Sequence, residues 1–512
     1  MKRIIATVFA ICLVATVTCI SSFALTISSN DVIRVHGLKS DGTTTVILNG
    51  YTKHDEGWEA AVDYAEDHDF MDENGYERIV VDFLADWKAN DKGEFGKSSW
   101  DGFQYSTIYV PSDTRITINL NGHKIDRGLK EYEYDGEVIC INDDADLIIN
   151  GGKSGDPIIE PGKDPGDVKM GTITGGFSCN GAGGIHMQDG SRLTLNNVNV
   201  IGNSVEDDDG AGIAVYDGAI LTMNGGSLSN NICYNFADNQ NGGCGIYVND
   251  STAVLNSTVI QNNHFKKYFH AKGAALYSTD SDVTIKNCKI IGNGNLDESL
   301  DYVGADAVIY GTGGSLNITN TYFEGNGYPI RSGGREGSLI YSKADLNIDG
   351  CVFTANHTVY LIDSEGEHLR VSNTEFKDND ANVFYGYGKY DIIAFSKCNF
   401  NNNVSSSAIN DIYTFEFTSE GTVFYDCDLG NSTMNDEECA EYTDSPLYDG
   451  THKGSGGYRI GSIFGEGSLS MIVAILALAT SAASVCLTVA LNKKKSGAAV
   501  TNAEQPDDED EE

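Results

Sequence analysis

No Cys-x-x-Cys pair occurs anywhere in the 512 residues. That spacing frames most structural zinc sites, so its absence argues against one. Two of the 12 cysteines, Cys12 and Cys19, fall in an N-terminal apolar run, and Cys486 falls in a C-terminal one. Nine remain: Cys140, Cys179, Cys233, Cys244, Cys288, Cys351, Cys398, Cys427 and Cys439. An odd set with no fixed interval does not read as a disulfide framework. Basic residues are also scarce. There are 34 Lys and Arg against 74 Asp and Glu, for a net charge of −40. Such acidity excludes nucleic acid and anionic lipid as partners, because both would be repelled. It is compatible with simple solubility, with solvation in a carbohydrate-rich wall, and with calcium.

Long apolar runs are confined to the two ends. Lys2 and Arg3 precede an apolar stretch from Ile4 to Ile20, and Ser22-Phe23-Ala24 supplies small residues for cleavage. This predicts a signal peptide over 1–24. Met471 to Leu491 carries no charge and is long enough to cross ~30 Å of hydrocarbon. Lys493, Lys494 and Lys495 follow and mark the cytoplasmic side. The expectation is a single span at 469–492, an ectodomain outside the cell membrane, and an acidic cytoplasmic tail at 493–512. That tail ends Asp507-Asp508-Glu509-Asp510-Glu511-Glu512, which no core could absorb.

Between the ends lies a repeat. Leu-Thr-Leu-Asn-Asn (193–197) recurs as Leu-Thr-Met-Asn-Gly (221–225), Ala-Val-Leu-Asn-Ser (253–257) and Val-Thr-Ile-Lys-Asn (283–287). It continues at 316–320, 346–350, 369–373 and 393–397. The last residues of successive copies are 28, 32, 30, 33, 30, 23 and 24 positions apart. Counted from that last residue, apolar side chains hold three columns: four before, two before and three after. The alternation is strand periodicity. One copy cannot bury its apolar face alone, and stacking the copies makes a continuous core. Strands recurring at this interval, joined by turns and not helices, predict an all-β fold, a right-handed parallel β-helix. Ile118 to Gly122, Leu147 to Gly151 and Thr422 to Asp426 extend the pattern to about eleven rungs and a rod ~50 Å long.

Six after the reference residue stand Asn203, Asn231, Asn263, Asn293, Asn326, Asn356, Asn379 and Asn403. Asn suits the left-handed conformation of a sharp turn, and stacked amides can bond from rung to rung. Asn356 and Asn403 also lie in glycosylation sequons, the alternative use of this column. Cys288, Cys351, Cys398 and Cys427 share one further column with Val198, Thr258, Thr321 and Thr374. That predicts inert packing of small side chains. A bond between Cys398 and Cys427, on neighbouring rungs, is the open alternative.

The sequence resembles the pectin-lyase-like right-handed β-helix proteins. More narrowly, it is similar to the polymorphic outer-membrane-protein repeat. Phe-x-x-Asn stands at 323–326, 353–356, 376–379 and 400–403, and partial Gly-Gly-Ala-Ile motifs at 210–213, 243–246 and 273–276. The resemblance covers roughly 110–432 and implies surface adhesion. The chain departs from those relatives where they end in a β-barrel. The polysaccharide lyases and hydrolases of this fold use motifs that are mostly absent. There is no Arg-x-Pro-x-x-Arg, and the only Gly-His is Gly122-His123.

The domain reading is a cap region at 25–105, the β-helix at 106–432 and a stalk at 433–468. A helix over 56–70, with Trp58, Ala61, Val62 and Ala65 on one face, supplies an α/β cap for the first sheet edge. Glu206, Asp207, Asp208 and Asp209 are the candidate metal ligands, and the last three the candidate catalytic acids. They open a polar strip expected to continue through Asp238, Asn241, His270, Lys272, Asp301, Arg335 and Glu336. Tyr247, Tyr277 and Tyr310, with His270 and Arg335, are the candidate binding residues. The tyrosines are read either as a sugar platform or, from the Met187, Val215 and Ile340 assigned to their column, as core. The expected function is a monomeric, non-catalytic surface protein that binds glycan or host and wall components. The alternative is a cell-surface polysaccharide lyase or glycoside hydrolase. No cofactor is implied beyond calcium.

Overall fold

A computed structural model describes residues 28–443, except 44, 90–97, 101–102, 106–107, 235–241, 267–270, 295–304, 328–336, 367, 387–391, 404–414, 418–421, 431 and 434–439. The expected signal peptide, membrane span and tail, and nearly all of the stalk, lie outside the described residues. Among the described residues no helix is long and apolar enough to cross a membrane.

Each rung of the body is a coil of short strands separated by left-handed turn residues. One rung runs Ile185–Met187, Arg192–Asn196, Val198–Ile201 and Ser204–Glu206. The next runs Ile213–Val215, Ile220–Asn224, Ser227–Ser229 and Ile232–Tyr234. Equivalent strands pair in parallel, as Leu193 with Leu221 and Val200 with Leu228. The result is a parallel β-helix with a 24-stranded sheet, an 11-stranded sheet and a third of four strands. Leu193, Leu195 and Val200 point inward and are buried. Their polar neighbours point out, as period-two alternation demands.

The first repeat column runs from Leu193 through Leu221, Ala253, Val283, Leu316, Leu346 and Leu369 to Ile393. Upstream, Leu147 pairs with Ile116 and not with Ile118. The first rung is therefore offset by two from the expected register. An offset of two keeps the same face inward, so the core is unchanged. In the third column Phe323, Phe353, Phe376 and Phe400 stack face to face, with centroids 4.4, 4.7 and 5.1 Å apart.

The Asn column forms a continuous ladder. Each Nδ2 donates to the Oδ1 of the next rung's Asn, at 2.8–3.3 Å from Asn203 to Asn403. Along most of the ladder the same Oδ1 also takes the preceding Asn's backbone N–H. The left-handed turn falls elsewhere. It sits one residue earlier, as at Asn230, Asn262 and Ala355, and at the reference positions Asn197, Asn287 and Asn320. The ladder residues are selected for amide bonding and not for turn geometry. Asn356 and Asn403 are buried in it, which rules out both as glycan acceptors.

The Thr/Cys column is a second ladder. The hydroxyls of Thr321 and Thr374 and the thiols of Cys288 and Cys351 donate to the carbonyl two residues back. The N–H of Thr258 is accepted by the Cys288 sulfur and that of Cys288 by the Thr321 hydroxyl. Here a thiol substitutes for a hydroxyl.

The N-terminal cap is α/β. Strands β1 (Ile33–Lys39), β2 (Thr45–Tyr51) and β3 (Tyr76–Phe83) pair antiparallel around β1, and β3 then pairs in parallel with Arg115–Asn119. Between β2 and β3 lie helices α1 (His54–Glu66) and α2 (His68–Asn74). Trp58, Ala61 and Ala65 of α1 are buried against the sheet, closing the edge. Arg78 ties cap to body by donating to the carbonyls of Ile116 and Asp146 at 2.9 and 2.8 Å. At the far end Ala440–Thr443 pairs in parallel with Thr422–Tyr425, so stacking runs past residue 432.

Candidate functional site

The outer face of the strand Ile185–Met187 and its neighbours carries an aromatic row. His186 pairs with Ala214, Ala214 with Tyr247, and then Tyr247, Tyr277, Tyr310 and Tyr341 follow in register. Ala214 leaves room above itself, and Tyr216 leans into it. Its ring lies 5.3 Å from His186 and 5.5 Å from Tyr247. The tyrosines beyond are 5.1, 5.4 and 4.6 Å apart.

This corrects the assignment of Tyr247, Tyr277 and Tyr310 to the column of Met187, Val215 and Ile340. Those three belong one position away. Met187 pairs with Val215 and Val215 with Val248, while Ile309 pairs with Ile340. One residue in a strand is the other face, so they fill the interior while the tyrosines lie outside it. Tyr247 and Tyr310 are nonetheless only 9% and 8% exposed. The rings pack on one another, tilted or edge-on as far as Tyr310 and stacked between Tyr310 and Tyr341, which removes most of a flat platform for sugar rings. Lys272 lies over Tyr277 and Tyr310, 5.5 and 5.1 Å from the ring centres.

Where the row reaches His186 and Tyr216 a groove of about 330 Å³ opens. Its floor is His186, Gln188 and Tyr216. One wall is a stack of turn aspartates, Asp143, Asp189 and Asp217, on successive rungs. The Asp144 N–H donates to the Asp189 carbonyl and the Gly190 N–H to that of Asp217, which fixes their register. The other wall is Asn180, Gly181 and Asp208. Asp208 is held in place by the N–H groups of Gly181 and Asp209, at 2.7 and 2.8 Å. Gly181 has φ +84°, and a Cβ there would fall 2.2 Å from His186 Nδ1. Only glycine brings this wall so close to the imidazole.

Burial sets the titration of the groove. It lowers the His186 pKa to about 4, so the ring is neutral at pH 7. It raises that of Asp208, with the two N–H donors acting against it. The Tyr216 phenol is pushed up by burial and then by Asp208 and Asp209.

The acidic cluster does not act as one site. Asp208 turns back to Gly181 on the preceding rung. Asp209 turns forward and accepts the Gly242 N–H at 2.5 Å. Burial raises Asp209 to about 7, and Lys272 opposes the rise. Asp207 takes the left-handed turn, with φ 56°. Among the described residues no three His, Cys, Asp or Glu are disposed to hold a metal ion. Asp238, Asn241, His270, Asp301, Arg335 and Glu336 lie outside the described residues. The structure thus joins Asp208 to Asp143 and to four groups that the sequence does not single out: His186, Asp189, Tyr216 and Asp217. A signal existed in Asp143-Asp144, Asp189-Gly190 and Asp217-Gly218, which are turn pairs at one register position.

Residues 139–290 match the family model for the right handed beta helix region. The fold is a right-handed β-helix. The matched stretch contains the whole groove, from Asp143 to Asp217. No curated protein and no solved structure matches the chain. The aromatic row and the groove therefore stand as features of this β-helix read from its own residues.

Proposed function

We propose that the chain is a membrane-anchored extracellular β-helix that binds a neutral or cationic glycan in the groove without cleaving it. One observation carries this reading. Among the described residues four carboxylates line the groove with His186 and Tyr216, and no Lys or Arg does. Carboxylate oxygens are strong acceptors for sugar hydroxyls and amines. Aromatic edges pack against the apolar faces of sugar rings. A polyuronate would meet four like charges with no cation to offset them, so pectin-type polymers fit poorly. Export by residues 1–24 and anchoring by 469–492 would set the groove outside the cell, as a monomeric adhesive or wall-binding rod.

A glycoside hydrolase is the second reading. It is favoured by Asp208, whose pKa burial raises, sharing a groove with Asp189 and Asp217. An acid and a base on opposite sides of a sugar are what hydrolysis needs. The engagement of Asp208 with two backbone donors weighs against it.

A glycan array of neutral, amino-sugar and uronate chains tests the proposal. Binding should fall on the first two classes and vanish in Asp208→Asn/Asp217→Asn. New reducing ends that disappear in Asp208→Asn would establish the hydrolase instead. Binding that survives the double substitution would remove the groove from consideration. A chelator arm reports whether calcium bridges ligand and carboxylates.

A further inference from the structure

We infer that Cys233 and Cys244 form a disulfide across the interior of one rung when the chain folds in an oxidising compartment. Cys233 lies in Ile232–Tyr234, pointing inward, with 2% exposure; Cys244 opens the next turn of the coil and is fully buried. The two belong to facing columns. On the preceding rung those columns hold Val205 and Ala211, and on the following rung Phe265 and Ala274. A large inward residue thus meets a small one on each rung. Of these three rungs only this one has cysteine at both positions, and both are buried free thiols in the structure. Facing inward positions one strand apart suit the short Cβ separation that a disulfide needs.

The acceptors separate this pair from the other one. Cys398 donates to the Val371 and Ser396 carbonyls, both at 3.4 Å, and Cys427 to those of Phe395 and Tyr425, also at 3.4 Å. Those thiols are integrated in the Thr/Cys ladder and would give up four bonds on oxidation. Cys233 makes one long contact, 3.8 Å to the Gly242 carbonyl. On the Cys233 side, joining the two gives up only that one long contact. The bond would also pin the segment at Gly242, whose N–H holds Asp209.

The oxidant is a small disulfide of the glutathione class. One cysteine thiolate attacks it, forming a mixed disulfide and releasing one thiol. The second thiolate attacks the protein sulfur of that mixed disulfide and releases the other thiol. Two protein thiols and one small disulfide become one protein disulfide and two small thiols. The buried sulfurs react during folding, before the rung closes.

The oxidising compartment rests on the export reading above, so the experiment has two arms. In the first, the full chain is expressed in an exporting host and extracted in detergent. In the second, reduced full chain is refolded with oxidised and reduced glutathione. Both samples are denatured with an alkylating agent, without reductant, and cut at Asp238, between the two cysteines. The expected result is a pair of fragments joined through Cys233 and Cys244 that separates on reduction. Cys233→Val/Cys244→Ala, which copies the preceding rung, should fold and show no joined pair. Joining in the glutathione arm alone supports the bond and counts against export. Alkylation of both cysteines in both arms overturns the inference.

Discussion

The side-chain amide of Asn263 donates to Asn293 Oδ1 at 2.9 Å, and the backbone N–H of Asn263 reaches the same oxygen at 3.1 Å. Asn293 Nδ2 in turn donates to the Ile260 carbonyl at 2.8 Å and to Asn326 Oδ1 at 3.1 Å. Every polar atom of a fully buried side chain is thereby used.

Asn293→Ala should accordingly be among the most disruptive single changes in the rod. It leaves a buried N–H, a carbonyl and two flanking amides short of partners. At ~1–3 kcal/mol for each unsatisfied group, the loss is several kcal/mol. Asn293→Asp should not rescue it, because the carboxylate cannot donate to Asn326. Urea denaturation of both variants checks this; equal midpoints for Asn293→Ala and the native chain would contradict it.

The phenylalanine stack gives a second prediction. Phe353 lies between Phe323 and Phe376 and is fully buried. Phe353→Ala should cost about 3–5 kcal/mol, and Phe353→Leu clearly less. The ordering of the denaturation midpoints is the measurement.

Two pH effects oppose each other near the groove. Burial holds the His186 pKa at about 4 in the folded chain, against the ordinary 6.5 of a solvated imidazole. Below pH 6.5 the unfolded chain takes up the proton more readily. Stability from this group is therefore full above 6.5 and lost as pH falls to 4, by about 3 kcal/mol. His186→Gln should remove that acid sensitivity, seen as a flatter dependence of unfolding free energy between pH 7 and pH 4. Parallel profiles would refute it.

Asp209 acts in the other direction. Burial raises its folded pKa to about 7, above the ordinary 3.8 of a solvated aspartate. The folded chain holds the proton more tightly, so stability is full below 3.8 and lost as pH rises through 7. Asp209→Asn keeps an acceptor for the Gly242 N–H and removes the buried charge. At pH 8 it should be more stable than the native chain, on the order of 3 kcal/mol, with no difference at pH 3.5. Thermal melts at the two pH values decide the point.

Gly181→Ala should impair the groove by a different route. The added methyl meets the imidazole, and the backbone conformation itself disfavours alanine. Ligand binding by the groove should fall at least as far as in Asp208→Asn, with a small drop in melting temperature. Unchanged binding would show that the Gly181 wall is not part of the site.

The sequence carried the body of the fold because a β-helix repeats one local environment. Leu193, Leu195 and Val200 recur with Asn203 at fixed offsets, and neighbouring rungs impose the same demand on each. What repeats can be read from the chain by comparing it with itself. The cap was also legible, since Trp58, Ala61 and Ala65 share one helical face. The first rung was placed two residues off at Ile118, where the pattern is weakest and the period-two face is conserved by the error.

The groove was not legible in the same way, because it is made where the repeat breaks. Ala214 interrupts the aromatic row, Tyr216 fills the gap from two residues on, and His186 ends it. Their meeting depends on which face of a strand each residue occupies, and a one-residue misplacement set the tyrosines in the column of the inward Met187, Val215 and Ile340. The carboxylates of Asp208 and Asp209, adjacent in the chain, part to opposite rungs, while Asp143, Asp189 and Asp217, far apart in the chain, line up in one wall. The sequence by itself determined the coil, its ladders and its acidity, because these follow from local period and composition. Only the tertiary structure decided which side chains converge, because rungs ~4.8 Å apart bring together residues that the chain separates by a whole turn.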